Sequence, residues 1–190
     1  IRDRFPEGDP LRTTGYNAPT VADLNGDGRP DMVVGVLGGA YNPTRSAHEN
    51  LFHLEHRVDG FELRTRRFLR QIDVGSETIP AFLDEDGDGD LDLLVGSRID
   101  PDDTGTAHVH RFENTGTADR PAFRRTGVLP LSGAFHYAPE AGDLDGDGRP
   151  DLVVGTWNQD VLHYRNTGGA GGARWEQVAG PLVELTRGSN

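Results

Sequence analysis

The apolar positions of this chain come in short runs divided by polar turns, and three of the runs follow an acidic stretch of the same design. Met32-Val33-Val34, Leu93-Leu94-Val95 and Leu152-Val153-Val154 are continuous rather than alternating, the pattern of strands buried on both faces. A second apolar segment, rich in aromatic and β-branched residues, follows each at 51–58, 107–113 and 161–165, and a further one at 61–68, 123–129 and 175–182. Asn114-Thr115-Gly116 and Asn166-Thr167-Gly168 supply turn signals between them. With a short strand starting at the Pro before each acidic stretch, every unit holds four strands, here A to D, and no helical periodicity lies between units.

The units are copies of one another. Residues 18–35 read APTVADLNGDGRPDMVVG, 79–96 read IPAFLDEDGDGDLDLLVG and 138–155 read APEAGDLDGDGRPDLVVG. The leading residues Asp23, Asp84 and Asp143 are 61 and 59 positions apart; Pro19, Pro80 and Pro139 precede them, and Gly35, Gly96 and Gly155 close each copy. A four-stranded unit of about 60 residues fits the radial repetition of a propeller. A row of independent hairpins would leave the two-sided apolar strands exposed. The expected fold is therefore all-β, a β-propeller of four-stranded blades. Three complete blades fall at 16–70, 71–130 and 131–190, with one extra outer strand at 1–15. In that strand Arg4-Phe5 through Pro10-Leu11 matches Arg174-Trp175 through Pro181-Leu182. Closed propellers have about four to eight blades, so this is expected to be an incomplete ring, either a segment of a longer propeller or one completed by association.

The acidic stretches have the spacing of cation loops. Asp23, Asn25, Asp27 and Asp31 stand at positions 1, 3, 5 and 9, matched by Asp84, Asp86, Asp88, Asp92 and by Asp143, Asp145, Asp147, Asp151. Alternate side-chain oxygens let one tight loop wrap one ion, glycine at position 6 permits the sharp turn, and the position-7 carbonyl of Arg29, Asp90 or Arg149 adds a ligand. An all-oxygen set of this size selects a hard cation, Ca2+ ahead of Mg2+, at three sites. An EF-hand needs Glu at position 12 on a following helix; here position 12 is Val34, Val95 or Val154 within an apolar strand, which excludes it.

Composition sharpens this. Twenty-six Gly and 12 Pro with 34% hydrophobic residues describe a turn-rich chain and not a helical bundle. A net charge of -12 argues against nucleic acid, whose phosphates require a basic face. The three loops carry three, six and four acidic residues, 13 of the chain's 31, and three bound calcium ions would bring the charge to -6. All 19 basic residues are Arg; without Lys there is no Walker-type phosphate loop or Schiff-base amine. Without Cys there is no thiol chemistry, disulfide or Cys-ligated metal. No apolar run is long enough for a membrane span, and the residues from Ile1 onward contain no signal-peptide core, as in a mature or excised chain.

The segments DLNGDGRPDMVVG, DEDGDGDLDLLVG and DLDGDGRPDLVVG resemble FG-GAP or VCBS repeats, the family that builds the integrin α-subunit propeller and many bacterial secreted propellers. The resemblance covers essentially the whole chain. It implies an extracellular, periplasmic or cell-surface setting, calcium in the A–B loops, and a binding surface at the other end, made by the B–C and D–A loops. Two departures stand out: Asn25 replaces a carboxylate in the first copy, and the second has Asp90-Leu91 where the others have Arg-Pro.

The B–C connections vary most, spanning 36–50, 97–106 and 156–160. Loops on a rigid scaffold carry recognition, which makes Tyr41, Asn42, Arg45, His48, Arg98, Asp100, Trp157, Asn158 and Gln159 candidate contacts, joined by Phe135, His136 and Tyr137 of a D–A connection. Exposed aromatics beside amides suit a protein or carbohydrate ligand. Among the histidines, His53 and His56 would face opposite ways on a strand, whereas His108 and His110 share a face but show no third ligand for a transition metal. Gly168–Gly172 reads as a C–D turn and not a phosphate cradle, and no Ser stands in a G-x-S-x-G context. No catalytic constellation is evident. The sequence therefore points to a non-catalytic calcium-binding module for protein or carbohydrate binding or assembly; the alternative is the propeller of a secreted enzyme such as a polysaccharide lyase or hydrolase.

Overall fold

Each acidic loop joins two strands that pair antiparallel across it, and the pattern recurs three times in the computed structural model. The model describes residues 13, 16–37, 49–70, 72–100, 105–131, 135–157, 160–169, 172–180 and 182–184. The first sheet has the order β1 (Asn17–Ala22), β2 (Asp31–Val36), β3 (Leu51–Arg57), β4 (Gly60–Thr65). The second runs β5 (Ile79–Leu83), β6 (Asp92–Gly96), β7 (Val109–Asn114), β8 (Phe123–Val128). The third runs β9 (Ala138–Gly142), β10 (Asp151–Gly155), β11 (Asp160–Asn166), β12 (Trp175–Gln177), with β13 (Val183–Glu184) also on β11. All neighbours within these sheets are antiparallel. The fold is all-β: three four-stranded blades of an incomplete β-propeller. The outer strand expected at 1–15 lies outside the described residues.

The third D strand, expected as one element over 175–182, is broken. The N–H of Val178 still donates to the His163 carbonyl at 2.9 Å and that of Leu182 to the Val161 carbonyl at 2.6 Å, so Ala179 and Gly180 bulge from a ladder that resumes in β13. The Asn of the second and third C–D turns has a structural task. Asn114 Oδ1 accepts from the N–H groups of Gly116 at 3.0 Å and Ala122 at 2.8 Å, and Asn166 Oδ1 from Gly168 at 3.0 Å and Arg174 at 3.3 Å, closing both turns.

The core lies between blades, which explains the continuous apolar B strands. In β6, Leu93 and Val95 pack with Val33, Leu24 and Leu51 of blade 1, while Leu94 points the other way, into a cluster with Leu152, Val154, Tyr137 and Tyr164 of blade 3. Each such buried aliphatic side chain stabilises the stack by about 1.5–3 kcal/mol. The A strands β1, β5 and β9 contact one another in succession and form the inner edge of the arc. This places all three acidic A–B loops at one end of the blades and the B–C and D–A connections at the other.

Candidate metal centres and the opposite loop end

Each acidic loop is folded by its own carboxylates. Asp23 accepts from Gly26 N–H and Gly28 N–H, both at 2.8 Å; Asp84 accepts from Gly87 at 2.7 Å and Gly89 at 3.0 Å; Asp143 from Gly146 at 2.7 Å and Gly148 at 2.9 Å. Positions 3 and 5 repeat the motif two residues on. Asn25 accepts from Asp27 N–H, Asp86 from Asp88 and Asp145 from Asp147, while Asp27, Asp88 and Asp147 accept from the N–H at position 7. The turn closes through Gly28, Gly89 and Gly148, whose φ values of +81°, +94° and +86° strain any other residue. Desolvation raises the Asp23 carboxyl, yet the N–H groups of Gly28, Asn25, Gly26 and Asp27 outweigh it and hold the group below its ordinary value. Asp90 is pushed up, by desolvation and then by the negative field of Asp88 and Asp86.

The position-9 carboxylates do more than the spacing indicated. Asp31, Asp92 and Asp151 are buried, and each Oδ1 accepts a backbone N–H from the far end of strand C: His56 at 2.8 Å, Asn114 at 2.7 Å and Asn166 at 2.9 Å. They lock the loop to its blade. Burial raises Asp92 to about 6 despite these hydrogen bonds.

Two loops bring carboxylates together. Asp84, Asp86 and Asp88 each place an oxygen within 4.8 Å of the others, as do Asp143, Asp145 and Asp151. In the first loop Asn25 is not a carboxylate and Asp27 pairs with Arg29. Arg149 likewise pairs with Asp147, which leaves Asp147 outside the third trio. The two arginines also tie their loops to strand C, Arg29 Nε donating to the His56 carbonyl at 3.1 Å and Arg149 Nε to the Asn166 carbonyl at 3.0 Å. Blade 2 has Asp90 there instead. Crowded, all-oxygen donor sets of this kind fit a hard divalent cation.

At the opposite end, three residues absent from any sequence motif occupy one repeat position. Tyr16, Glu77 and His136 each stand three residues before the Pro of strand A, and each has a left-handed backbone, with φ of +41°, +52° and +57°. Their side chains meet: the Tyr16 and His136 rings are 5.2 Å apart, and His136 Nε2 lies 3.6 Å from Glu77 Oε2. Arg98 NH1 bonds Glu77 Oε1 at 2.6 Å, and the Arg98 guanidinium lies 5.6 Å over the ring of Trp157. Trp157 and Phe135 are exposed. Burial and then the Glu77 charge raise the Tyr16 phenol; burial lowers the His136 imidazole. The offset to the repeat's Pro was the one available signal for Tyr16 and Glu77.

Other candidates are corrected. Tyr137 is buried in the core between blades 2 and 3, and Asp100 is buried too, so neither is a surface contact. Asp100 instead supplies the partner that His108 and His110 lacked: its Oδ2 is 3.5 Å from His110 Nε2 and 4.0 Å from His108 Nε2. Arg125 lies 2.9 Å from His110 Nδ1 and can only donate, so Nε2 carries the imidazole proton and faces Asp100, which opposes a metal there. His53 approaches Asp31 while His56 stacks on Phe61, as their opposite facing requires. Tyr41, Asn42, Arg45, His48, Asn158 and Gln159 lie outside the described residues.

Comparison with known proteins agrees with this repeat structure. A family model described as an FG-GAP-like repeat matches residues 84–154, and one described as an FG-GAP repeat matches 15–46 and 137–173. Integrin alpha-PS2 of Drosophila melanogaster is 27% identical over 171 residues, an alignment covering 78% of this chain and 12% of that protein. The chain thus spans a small part of that relative's length.

Proposed function

Because the chain belongs to the FG-GAP repeat family, we propose that it is a calcium-binding, non-catalytic β-propeller module of an extracellular, periplasmic or cell-surface protein, which uses the end opposite its acidic loops to bind protein or carbohydrate. The observation that carries the proposal is the pair of carboxylate trios on identically built loops, Asp84, Asp86, Asp88 and Asp143, Asp145, Asp151. Calcium bound there, and in the first loop by Asp23, Asn25, Asp27 and Asp31, offsets the repulsion between carboxylates and fixes the A–B connections. Extracellular calcium modules bind at roughly 0.1–1 mM, so such sites fill outside the cytosol. The resemblance to an integrin α chain supports the surface setting.

Exposure supports completion of the ring by further blades, from the parent chain or from another copy. Leu24 and Glu85 are 5% and 7% exposed under the following blade, whereas Leu144, at the same repeat position in blade 3, is 50% exposed. Thermal unfolding with calcium and with chelator tests the metal role. A ligand held only by the folded state must raise the melting temperature, so an unmoved transition overturns it.

A further inference from the structure

We infer that the loop end opposite the acidic loops carries a site for a neutral saccharide, with Trp157 as the platform for the flat apolar face of a sugar ring and Arg98 and Tyr16 as polar contacts. The inference rests on the reading of that end as the binding end and names the ligand class.

Three features carry it. The first is preorganisation. Non-glycine residues in the left-handed region are strained and persist where the surroundings impose them, typically at ligand sites. Here the strain recurs at Tyr16, Glu77 and His136, one per blade, and their side chains converge on the inner edge of the arc. The second is the platform. Trp157 is 63% exposed, although His136 lies 6.0 Å away and Arg98 lies over its ring. Its backbone is fastened, the Trp157 N–H donating to the Phe135 carbonyl at 2.9 Å, so the indole is presented and not merely uncovered. Phe135 is 49% exposed, and Tyr16, 41% exposed, lies on His136, the ring next to the indole, at 5.2 Å.

The third feature is charge. Glu77 is buried, and its carboxylate is held at 2.6 Å by Arg98, the same guanidinium that lies over the Trp157 ring. The floor of the site is thus a neutral ion pair. A cationic peptide would have to displace Arg98 from Glu77, and an anion would compete with Glu77 for Arg98. A sugar requires neither: its C–H face lies on the indole, and its hydroxyls meet the outward edge of the guanidinium and the Tyr16 phenol. Glu77 and His136 act as positioning residues. His136 Nε2, buried without a hydrogen-bond partner among the described residues, faces the Glu77 carboxylate that holds Arg98 in place.

The test uses the full chain in calcium-containing buffer. It is titrated by calorimetry and tryptophan fluorescence with neutral oligosaccharides of glucose, galactose, mannose, xylose and N-acetylglucosamine, and in parallel with oligogalacturonate and an arginine-containing peptide. At least one neutral oligosaccharide is expected to bind. Trp157→Ala should weaken that binding about tenfold or more with the melting temperature unchanged, and Trp157→Phe should retain most of it. The inference is overturned if no neutral oligosaccharide binds, if binding survives Trp157→Ala, or if only the charged probes bind. Calcium-dependent stabilisation without saccharide binding sinks this inference alone. An unmoved melting temperature sinks the calcium reading and leaves the titration to decide the saccharide.

Discussion

The carbonyl oxygen of Thr78 lies 1.9 Å from where a β-carbon on Gly35 would stand. Tyr137 repeats the relationship one blade on, its carbonyl 2.0 Å from a β-carbon on Gly96. In both cases the backbone leading into the next A strand rests directly on the glycine that closes the preceding repeat. Gly155 has no such neighbour among the described residues, its nearest contact being the Ala138 side chain at 3.5 Å. Gly35→Ala and Gly96→Ala should therefore each cost about 3 kcal/mol or more, because backbone must move, while Gly155→Ala should change stability by less than about 1 kcal/mol. Urea unfolding of the three variants separates the cases. Equal losses would mean that strand geometry, and not the next blade, demands the glycine.

A second contact between blades rests on a substitution within the repeat. Trp175 Nε1 donates to Glu85 Oε1 at 3.0 Å across the blade 2–3 boundary, and Arg111 meets the same carboxylate through NH2 at 2.8 Å and Nε at 3.1 Å. The matching positions hold Leu24 with His53 in blade 1 and Leu144 with His163 in blade 3. Glu85→Leu alone strands the Arg111 charge and the indole N–H, and a loss of about 2–3 kcal/mol is expected. Glu85→Leu with Arg111→His recreates the pairing of the other blades and should recover the part of the loss due to Arg111, leaving the part due to the unpaired indole N–H. A double variant whose loss equals the sum of the two single losses would show that the residues act independently.

Much of this was legible in the chain. Fixed spacing exposes the repeat, continuous apolar triplets mark strands covered on both faces, and alternate oxygens mark the loops, because each depends on neighbours in sequence. What was not legible depends on neighbours in space. Tyr16, Glu77 and His136 share a repeat position but no chemistry, so no motif joins them; only the arc of blades does. Asp31, Asp92 and Asp151 read as ligands from spacing, while their bonds to strand C follow from the β2–β3, β6–β7 and β10–β11 registers. Gly35 and Gly96 were visible as punctuation, but the reason for them lies in the following blade.

The loops should differ in affinity. The second carries six acidic residues and Asp90 at position 7, whereas Arg29 and Arg149 pair with Asp27 and Asp147 in the first and third. A cation entering those two must compete with a guanidinium, and the first also lacks one carboxylate. Calcium titration by calorimetry should show its tightest event lost in Asp84→Asn, with Asp23→Asn removing only a weaker one. Loss of the tightest event in Asp23→Asn would reverse this ranking.

Acid should weaken the protein partly through His110. Its ring is buried, and burial and then the charge of Arg125 hold it at about 4, against the pull of Asp100, with His108 adding to the lowering. The unfolded chain's imidazole titrates near 6.5. Between those values the unfolded state binds the extra proton. The neutral folded ring therefore costs nothing above about pH 6.5, and stability falls as the pH drops toward 4, by on the order of 3 kcal/mol from this group. His110→Gln keeps an acceptor for Arg125 and removes the titration. Measured in chelator, so that calcium release does not contribute, its unfolding free energy should decline less steeply than the parent's between pH 6.5 and 4. Parallel curves would show that His110 makes no contribution to the acid sensitivity.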